Sequence, residues 1–250
     1  MLNNRYNEIE GMSMTNGYIF LNDQTKLYYE RYGAGKPLIF LHGNNSSGRY
    51  FKEQIPFFAA YFDCIVLDTR GHGRSDNKAN ELNFRLLAGD LAEVMEQLKL
   101  SKASILGFSD GANLAMVFAH IFPDKIEKLI LNSGNYRLSG EKWPPKIATQ
   151  FGYFASAFLG LFSHYFYRQK NMLGLMIDDL PLTEADLKQI VAPTLVIAGT
   201  QDVIKTSHTK KIAALLANST LILIKRAGHT AAQRHPEYFN HVVYKFLQEK

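Results

Sequence analysis

A mostly parallel β-sheet with helices packed on its faces, an α/β fold, is the fold class that the sequence predicts. Three observations predict it: short apolar runs recur along the chain, helical periods separate them, and one alternating pair of runs comes first. The 250 residues, 46% of them hydrophobic, are enough to bury one sizeable core. Because 12% are aromatic and the net charge is only +5, an intrinsically disordered chain is excluded.

Two kinds of run have the pattern of strands. Residues 18–21 and Lys26–Tyr32 alternate apolar and polar side chains around Asn22-Asp23, which predicts an antiparallel hairpin at one edge of the sheet. The other runs are apolar throughout, as parallel strands covered on both faces require. They are residues 37–41, 64–68, 103–107, Ile126–Asn132, Thr194–Gly199 and Ser219–Ile224.

Helical patterns lie between these runs. An apolar stripe from Leu87 to Leu98 recurs at spacings of four, three and four, which places it on one side of a helix. Residues 110–122 are rich in Ala and Leu and end before a proline, so they predict a second helix. Residues 206–217 and 236–247 predict two more, the last with a proline in its first turn.

The alternation stops between residues 135 and 191, where no strand pattern appears. Residues 151–167 hold eight aromatic side chains, several of them at helical spacing. This pattern predicts a helical cap whose apolar face, including Phe154 and Phe158, covers a substrate pocket. An ordinary stripe that faces the core is the alternative. Residues 147–167 carry no formal charge, but their polar side chains favour an interfacial or pocket-covering helix over a membrane span.

Cysteine content and charge exclude further classes. Cys64 is the only cysteine, so a disulfide framework is excluded, and its apolar neighbours predict a buried core residue. The cationic residues are scattered rather than clustered, so no nucleic-acid partner is expected. Residues 1–17 are polar and lack the apolar stretch of a secretory signal, so a cytoplasmic location is expected.

The strongest local motif is at residues 107–111, which read Gly-Phe-Ser-Asp-Gly between a predicted strand and a predicted helix. A nucleophile on such a sharp turn needs small residues two positions away on each side, because the strained backbone brings these positions into contact. The helix start behind Ser109 adds a partial positive charge that stabilises a developing oxyanion. This context predicts that Ser109 is a catalytic nucleophile.

A serine hydroxyl needs a base, and the base needs an acid to orient it. His229 follows the last predicted strand, where a loop can project it over the carboxyl edge of the sheet. Asp202 follows Thr194–Gly199 in the same way, and the order serine, aspartate, histidine is that of hydrolases with this kind of turn. We therefore predict a triad of Ser109, Asp202 and His229. Weaker candidates are His120, His164, His208 and His235 for the base, and Asp178 and Asp179 for the acid.

An oxyanion hole needs two N–H donors, and the backbone N–H of Asp110, directly after the nucleophile, is expected to supply one. The loop after residues 37–41 reads Leu-His-Gly-Asn-Asn, in which Gly43 permits a close approach and the N–H of Asn44 is the expected second donor. The carboxylate of Asp110 has two interpretations. It binds an amine of the substrate, or it points away into a hydrogen-bond network.

Together these motifs resemble those of the α/β-hydrolase family, in its compact serine hydrolase or esterase form. The resemblance rests on His42-Gly43, Asp-Thr-Arg-Gly-His-Gly-Arg-Ser at 68–75, the serine turn, Gly-Thr-Gln-Asp at 199–202 and Gly228-His229. It covers roughly residues 17–250 and implies an eight-stranded, mostly parallel sheet, a cap between the sixth and seventh strands, and neither metal nor organic cofactor. The domains are then a core of residues 1–134 and 192–250 and a cap of residues 135–191.

The sequence thus predicts a serine hydrolase that cleaves carboxylic or related acyl esters of small to medium apolar substrates through an acyl-enzyme. The residues expected to contact the substrate are His42, Gly43, Phe108, Phe154 and Phe158. Thioester, lactone, amide or C–C cleavage by the same triad stays open, because these reactions differ in pocket shape and leaving group. A ligand-binding receptor or signalling protein is the alternative of another class. The expected partner is a small-molecule acyl substrate, and monomer and homodimer are both open.

Overall fold

The computed structural model describes residues 14–249, so most of the polar stretch at residues 1–17 lies outside the described residues. Eight strands form one sheet. They are β1 (Met14–Phe20), β2 (Lys26–Tyr32), β3 (Lys36–Leu41), β4 (Phe62–Leu67), β5 (Ala103–Phe108), β6 (Ile126–Asn132), β7 (Thr194–Gly199) and β8 (Ser219–Ile224).

The strands lie in the order β1-β2-β4-β3-β5-β6-β7-β8. The pairs β1–β2 and β2–β4 are antiparallel, and the remaining pairs are parallel. The predicted edge hairpin and mostly parallel sheet are therefore confirmed. The first strand begins at Met14, opposite Tyr32, rather than at residue 18. Its exposed polar start has no apolar pattern, because an edge strand is held by backbone pairing and covered on one side only.

Helices connect the strands and flank the sheet. They are α1 (Ile55–Phe58), α2 (Phe84–Gln97), α3 (Asp110–Ile121), α4 (Trp143–Leu159), α5 (His164–Gly174), α6 (Glu184–Lys188), α7 (Thr206–Leu215), α8 (Ala231–Arg234) and α9 (Pro236–Gln248). Short 3-10 turns lie at Gly48–Phe51, Pro123–Lys125 and Leu138–Gly140.

The core lies on both faces of the sheet, because successive residues of a strand point to opposite sides. On one face α2 and α3 pack over Ile39 and Ile105. On the other face α1 and α9 pack over Phe40 and Leu106. All four strand residues are fully buried, which explains why the central strands are apolar throughout. Cys64 is buried in the second cluster, as predicted, whereas β8 at the sheet edge is mostly half-buried.

A buried ion pair fixes the segment after β4. Arg70 is 2% exposed and donates two hydrogen bonds of 2.7 Å to the carboxylate of Asp90 on α2. It also donates to Asp23 and Thr25 of the β1–β2 hairpin. A buried ion pair is stable only when hydrogen bonds satisfy both charged groups, as they do for Arg70 and Asp90. The segment at residues 68–75 is thereby held beside the carboxyl edge of the sheet.

The long interval between β6 and β7 contains helices α4, α5 and α6 and no strand, and all of it lies within the described residues. An isolated bridge joins Glu141 to Ile204 near its start. The insertion therefore lies between the sixth and seventh strands. Its definition as a cap domain of residues 135–191 stays a prediction. No helix within residues 14–249 combines the length and the apolar character that crossing a membrane would require.

Candidate active site

The turn that carries Ser109 joins β5 to α3 at the carboxyl edge of the sheet. Ser109 has a φ of 52°, in the left-handed region that non-glycine residues rarely adopt. A methyl group at Gly107 would collide with the carbonyl of Gly111, and one at Gly111 would collide with the carbonyl of Leu41. Both flanking glycines are therefore required by the backbone: Gly107 by its contact with Gly111, as the sequence suggested, and Gly111 by the end of β3.

Ser109, His229 and Asp202 form one hydrogen-bonded line. The Oγ of Ser109 lies 3.1 Å from Nε2 of His229, and Nδ1 of His229 lies 2.7 Å from Oδ1 of Asp202. With the proton on Nδ1, that nitrogen donates to the carboxylate and Nε2 accepts from the serine hydroxyl. His229 is then arranged to remove the proton from Ser109 as the oxygen attacks an electrophile.

Asp202 is the buried end of this line, with an exposed fraction of 1%. Burial by itself would raise the pKa of its carboxyl. The hydrogen bond from Nδ1 of His229 and one from the N–H of Ile204 outweigh burial and hold that pKa below its ordinary value. Asp202 is therefore a carboxylate at neutral pH and can orient the imidazole.

The structure brings none of the weaker base candidates to Ser109. His208 is buried and its Nε2 accepts the N–H of Tyr136 at 3.2 Å, while burial lowers its pKa to about 4. His120 lies 3.9 Å from Asp186 on α6. Among the histidines, all of which lie within residues 14–249, only His229 is hydrogen-bonded to Ser109.

The loop after β3 lies directly against the serine turn. A methyl group built on Gly43 would lie 3.0 Å from Cδ1 of Phe108 and 3.1 Å from Cβ of Ser109. The backbone N–H groups of Asn44 and Asp110 form no hydrogen bond within residues 14–249. Two unpaired donors on segments that contact each other at the nucleophile are what an oxyanion hole needs.

His42 holds this loop in place. It is 2% exposed, its Nδ1–H donates to the carbonyl of Gly43 at 2.7 Å, and its Nε2 accepts the N–H of Thr69 at 3.1 Å. Burial lowers the pKa of His42 to about 4, so the ring is neutral at neutral pH. Both ring nitrogens are occupied by the protein. His42 thus positions the loop, and its predicted direct contact with a substrate stays a prediction.

The side chain of Asp110 is turned into a hydrogen-bond network. Its Oδ2 accepts from Nδ2 of Asn44 at 2.8 Å, and its Oδ1 accepts from Nδ2 of Asn113 at 3.2 Å. Burial raises the pKa of this carboxyl to about 6, although the two amides offset part of the effect. Nδ2 of Asn44 also donates to the carbonyl of Met172 on α5 at 2.6 Å. Asp110 thus ties the loop after β3, and through it α5, to the serine turn.

A second carboxylate continues this network. Glu141 is buried, and its Oε1 accepts from Nδ2 of Asn135, which lies next to Asn113. Burial and the nearby charge of Asp110 raise the pKa of Glu141. The sequence offered no signal for Asn113, Asn135 or Glu141, because their positions follow no local motif.

Phe108, the residue before the nucleophile, contacts the aromatic rings of Tyr50 and His229. Its ring stacks on Tyr50, with centroids 3.9 Å apart and an interplanar angle of 6°, and lies 5.0 Å from the ring of His229. Tyr50 in turn lines a cleft of about 850 Å³ between the loop after β3 and α5, and neither Ser109 nor His229 is among the residues that line this cleft. Tyr165, Arg168 and Met172 of α5 line the same cleft. Tyr50 was not among the residues predicted for the site.

The structure does not bring Phe154 or Phe158 to this cleft. Both are about two-thirds exposed, at 68% and 66%. The opposite side of α4 packs on α5, where a methyl group on Gly152 would lie 3.4 Å from Leu173. The expectation that this stripe covers a pocket is corrected: helical spacing predicts that the residues share one side, but not which side faces the protein.

An eight-stranded, mostly parallel sheet with a strained serine turn at its carboxyl edge defines a class of hydrolytic enzymes. Residues 36–171 match the family model described as the alpha/beta hydrolase fold, and the chain belongs to the α/β hydrolase family. The predicted resemblance and fold class are therefore confirmed, and the protein is a hydrolase.

Curated relatives match nearly the whole chain. The putative non-heme bromoperoxidase BpoC of Mycobacterium tuberculosis is 26% identical over 255 residues, which cover 88% of this chain and 97% of the relative. The 2-hydroxy-6-oxononadienedioate/2-hydroxy-6-oxononatrienedioate hydrolase of Burkholderia vietnamiensis is 28% identical over 284 residues. This match covers 94% of this chain and 96% of the relative. Relatives of comparable similarity thus carry the names of different reactions.

Solved structures also match nearly the whole chain. A hydrolase from Pseudomonas aeruginosa has a TM-score of 0.80 and 23% identity, covering 94% of this chain and 99% of its own, and supports the fold alone. A structure described as an N-acyl homoserine lactone degrading enzyme has a TM-score of 0.75 and 26% identity. The match covers 92% of this chain and 100% of that structure's chain. These structures agree with the fold of the family that the match at residues 36–171 shows.

Proposed function

We propose that this protein is a serine hydrolase that cleaves carboxylic esters of small to medium apolar substrates through an acyl-enzyme. The observation that carries the proposal is the hydrogen-bonded line from Ser109 through His229 to the buried carboxylate of Asp202. A serine hydroxyl is a weak nucleophile until a base within hydrogen-bond reach accepts its proton, and the 3.1 Å contact provides that base.

In the proposed first step, Oγ of Ser109 attacks the acyl carbon while Nε2 of His229 takes the hydroxyl proton. The carbonyl oxygen becomes an oxyanion and accepts hydrogen bonds from the N–H groups of Asn44 and Asp110. The carboxylate of Asp202 keeps the proton on Nδ1 and stabilises the imidazolium that forms. The C–O bond to the leaving alcohol then breaks, and the imidazolium gives its proton to that alcohol.

In the second step, water takes the place of the alcohol. His229 removes a proton from the water as its oxygen attacks the acyl-enzyme carbonyl, and the same two N–H groups hold the second oxyanion. Collapse of this intermediate returns the proton to Ser109 and releases the carboxylic acid. Each cycle therefore consumes one ester and one water and restores the free enzyme.

Lactone cleavage by the same residues is the second candidate. A lactone is an ester whose leaving alcohol stays attached, so the two steps above apply unchanged. The observation that favours it is the 26% identical structure described as an N-acyl homoserine lactone degrading enzyme, which this chain matches over 92% of its length. Thioester, amide and C–C cleavage by the same triad remain open alternatives.

A chain-length series tests the proposal. We expect p-nitrophenyl acyl esters to be hydrolysed with a maximum of kcat/KM at one acyl length, and Ser109→Ala to lose this turnover. A parallel series of N-acyl homoserine lactones, followed by the acid released, decides between linear esters and lactones. Product beyond one equivalent per protein is required for an enzyme. A folded protein that binds these compounds but releases at most one equivalent contradicts the proposal and favours the receptor alternative.

The cytoplasmic location and the absence of a cofactor stay predictions from the sequence. Within residues 14–249, no cluster of three or more His, Cys, Asp or Glu side chains is arranged to hold a metal ion. The proposed mechanism uses side chains and backbone groups of this chain and one water per cycle.

A further inference from the structure

Helix α4 and the turn that follows it present an apolar surface to solvent. We define the aromatic face as Trp143, Phe151, Phe154, Phe158, Leu161 and Phe162. Each of these side chains is 66% to 79% exposed. The members on α4 are spaced by eight, three and four residues, so they lie on one side of the helix. The ring of Phe162, in the turn after α4, lies 6.0 Å from that of Phe158.

This exposure is unusual for large apolar side chains. Single exposed apolar residues are normal on a protein surface, whereas a contiguous apolar patch marks a surface that contacts something else. The aromatic face is not turned toward the cleft, as Phe154 and Phe158 show, so a small substrate in the cleft does not cover it.

Along the chain, the segment that carries the aromatic face has charged residues of one sign only. Residues 142–177 contain Lys142, Lys146, Arg168 and Lys170 and no aspartate or glutamate. Lys142 and Arg168 are exposed, and Lys146 and Lys170 are half-buried. A helix with aromatic side chains on its outer side, in a segment whose charged residues are all cationic, is complementary to a negatively charged apolar layer.

We propose that the aromatic face docks this protein on an anionic lipid bilayer surface, with Trp143 and the phenylalanines in the headgroup region. Trp and other large aromatic side chains favour the membrane–water interface, and nearby Lys and Arg are attracted to anionic headgroups. The helices lie on the surface and do not span it, in agreement with the lack of a spanning helix within residues 14–249.

A second copy of the chain fits the same face less well. Two copies that share an isologous interface place the same patch of each copy against the other. The cationic residues around the aromatic face would then meet their own equivalents with no acidic partner between residues 142 and 177. The charge therefore favours an anionic lipid layer over a dimer.

Docking would also bring the cleft to the lipid. Tyr165 and Arg168 of α5 line the cleft, and they follow Leu161 and Phe162 of the aromatic face along the chain. An apolar ester that partitions into the bilayer would then reach the cleft without crossing bulk water. This consequence rests on the proposed hydrolase function, whereas docking itself does not.

Co-sedimentation with vesicles tests docking independently of turnover. The full chain is mixed with vesicles of phosphatidylcholine alone or of phosphatidylcholine with phosphatidylglycerol, and Ser109→Ala is expected to bind as the wild type does. The double variant Phe151→Gln/Phe162→Gln is expected to lower the partition coefficient by about tenfold or more. The matched control Phe20→Gln/Tyr238→Gln replaces two aromatic residues that are each 53% exposed elsewhere and should leave binding unchanged.

A charge series completes the test. Lys142→Gln/Lys146→Gln should weaken binding to the anionic vesicles by about fivefold per lysine, and Lys210→Gln/Lys245→Gln should not. Wild-type protein that stays in solution with anionic vesicles, or that binds both vesicle types equally, overturns the proposal. A dimer in light scattering that dissociates in Phe151→Gln/Phe162→Gln also overturns it, because the face is then covered by a second copy.

Discussion

Asp202 is the residue on which the state of His229 depends. Its Oδ1 lies 2.7 Å from Nδ1 and accepts a second hydrogen bond from the N–H of Ile204 at 3.0 Å. In Asp202→Asn the buried carboxylate is lost, so the imidazolium is no longer stabilised and the proton is free to move to Nε2. We expect kcat for an ester substrate to fall by about 10³–10⁴-fold in steady-state assays, with little change in KM.

Asp178→Asn is the matched control for this variant. Asp178 was the weaker acid candidate from the sequence, and its side chain is exposed. It should keep wild-type kcat. Equal losses in the two variants, or a loss in Asp178→Asn alone, would contradict the assignment of Asp202.

Protonation of the Asp110 carboxyl makes the free energy of unfolding depend on pH. Burial raises the pKa of its carboxyl from 3.8 to about 6, so the native state holds a proton that the unfolded state has released. The stability contribution of this proton is fully present below pH 3.8 and is lost as the pH rises through about 6. Asp110→Asn removes the titration.

We therefore expect the free energy of unfolding of the wild type, minus that of Asp110→Asn, to be larger at about pH 4.5 than at about pH 7 by about 2 kcal/mol. Urea denaturation of the wild type and of Asp110→Asn at both pH values measures this difference in the free energy of unfolding. A difference that does not change with pH would show that Asp110 is charged throughout.

The same variant decides between the two interpretations of Asp110. Because Asn44 and Asn113 already occupy the carboxylate, we expect the preference between aminoacyl and plain acyl esters to be unchanged. A selective loss of activity toward aminoacyl esters would instead support binding of a substrate amine.

Single residues were predictable where a local motif or a strand end identified them. Ser109 lies between two glycines that the turn requires, and Asp202 and His229 each follow a strand with an apolar run. Tyr50 and Glu141 reach the site only through the tertiary fold. No pattern of neighbouring residues could have indicated their contacts.

At the scale of elements, the loop after β3 is positioned by its contact with the serine turn. A methyl group on Gly43 would lie 3.0 Å from Cδ1 of Phe108 and 3.1 Å from Cβ of Ser109, tighter than ordinary contact. Gly43→Ala must therefore move the loop away by a few tenths of an ångström and displace the N–H of Asn44 from the oxyanion. We expect kcat to fall by about tenfold or more, since small misplacements of catalytic groups are costly.

Gly89→Ala is the matched control. Gly89 lies within α2, and a methyl group there meets no atom within 4 Å. Its kcat should stay at the wild-type value, and its free energy of unfolding should rise by about 0.5–1 kcal/mol because alanine favours the helix. Unchanged kcat in Gly43→Ala would show that the loop does not supply an oxyanion donor.

The elements themselves were predictable where periodicity and breaking residues agree. The apolar runs at β6 and β7 end in polar or glycine-containing segments, and their predicted bounds match the structure. The orientation of α4 was not predictable. Phe151, Phe154 and Phe158 share a side of that helix, but only packing against α5 decides that this side faces solvent.

For the whole molecule, the class followed from the alternation of apolar runs and helices, and the strand number followed from the resemblance to a family. The position of β4 between β2 and β3 is a tertiary property, because no residue pattern encodes which strands pair. That order matters for the site: it brings the carboxyl ends of β3, β5, β7 and β8 to one edge, where Ser109, Asp202 and His229 meet.

The most direct measurement of the central claim is labelling of the intact protein with a fluorophosphonate, followed by mass mapping of the modified peptide. We predict one label per chain on Ser109, no label in folded Ser109→Ala, and much slower labelling in His229→Gln, because the nucleophile then lacks its base. A folded wild type that is not labelled, or a Ser109→Ala protein labelled like the wild type, would contradict the account.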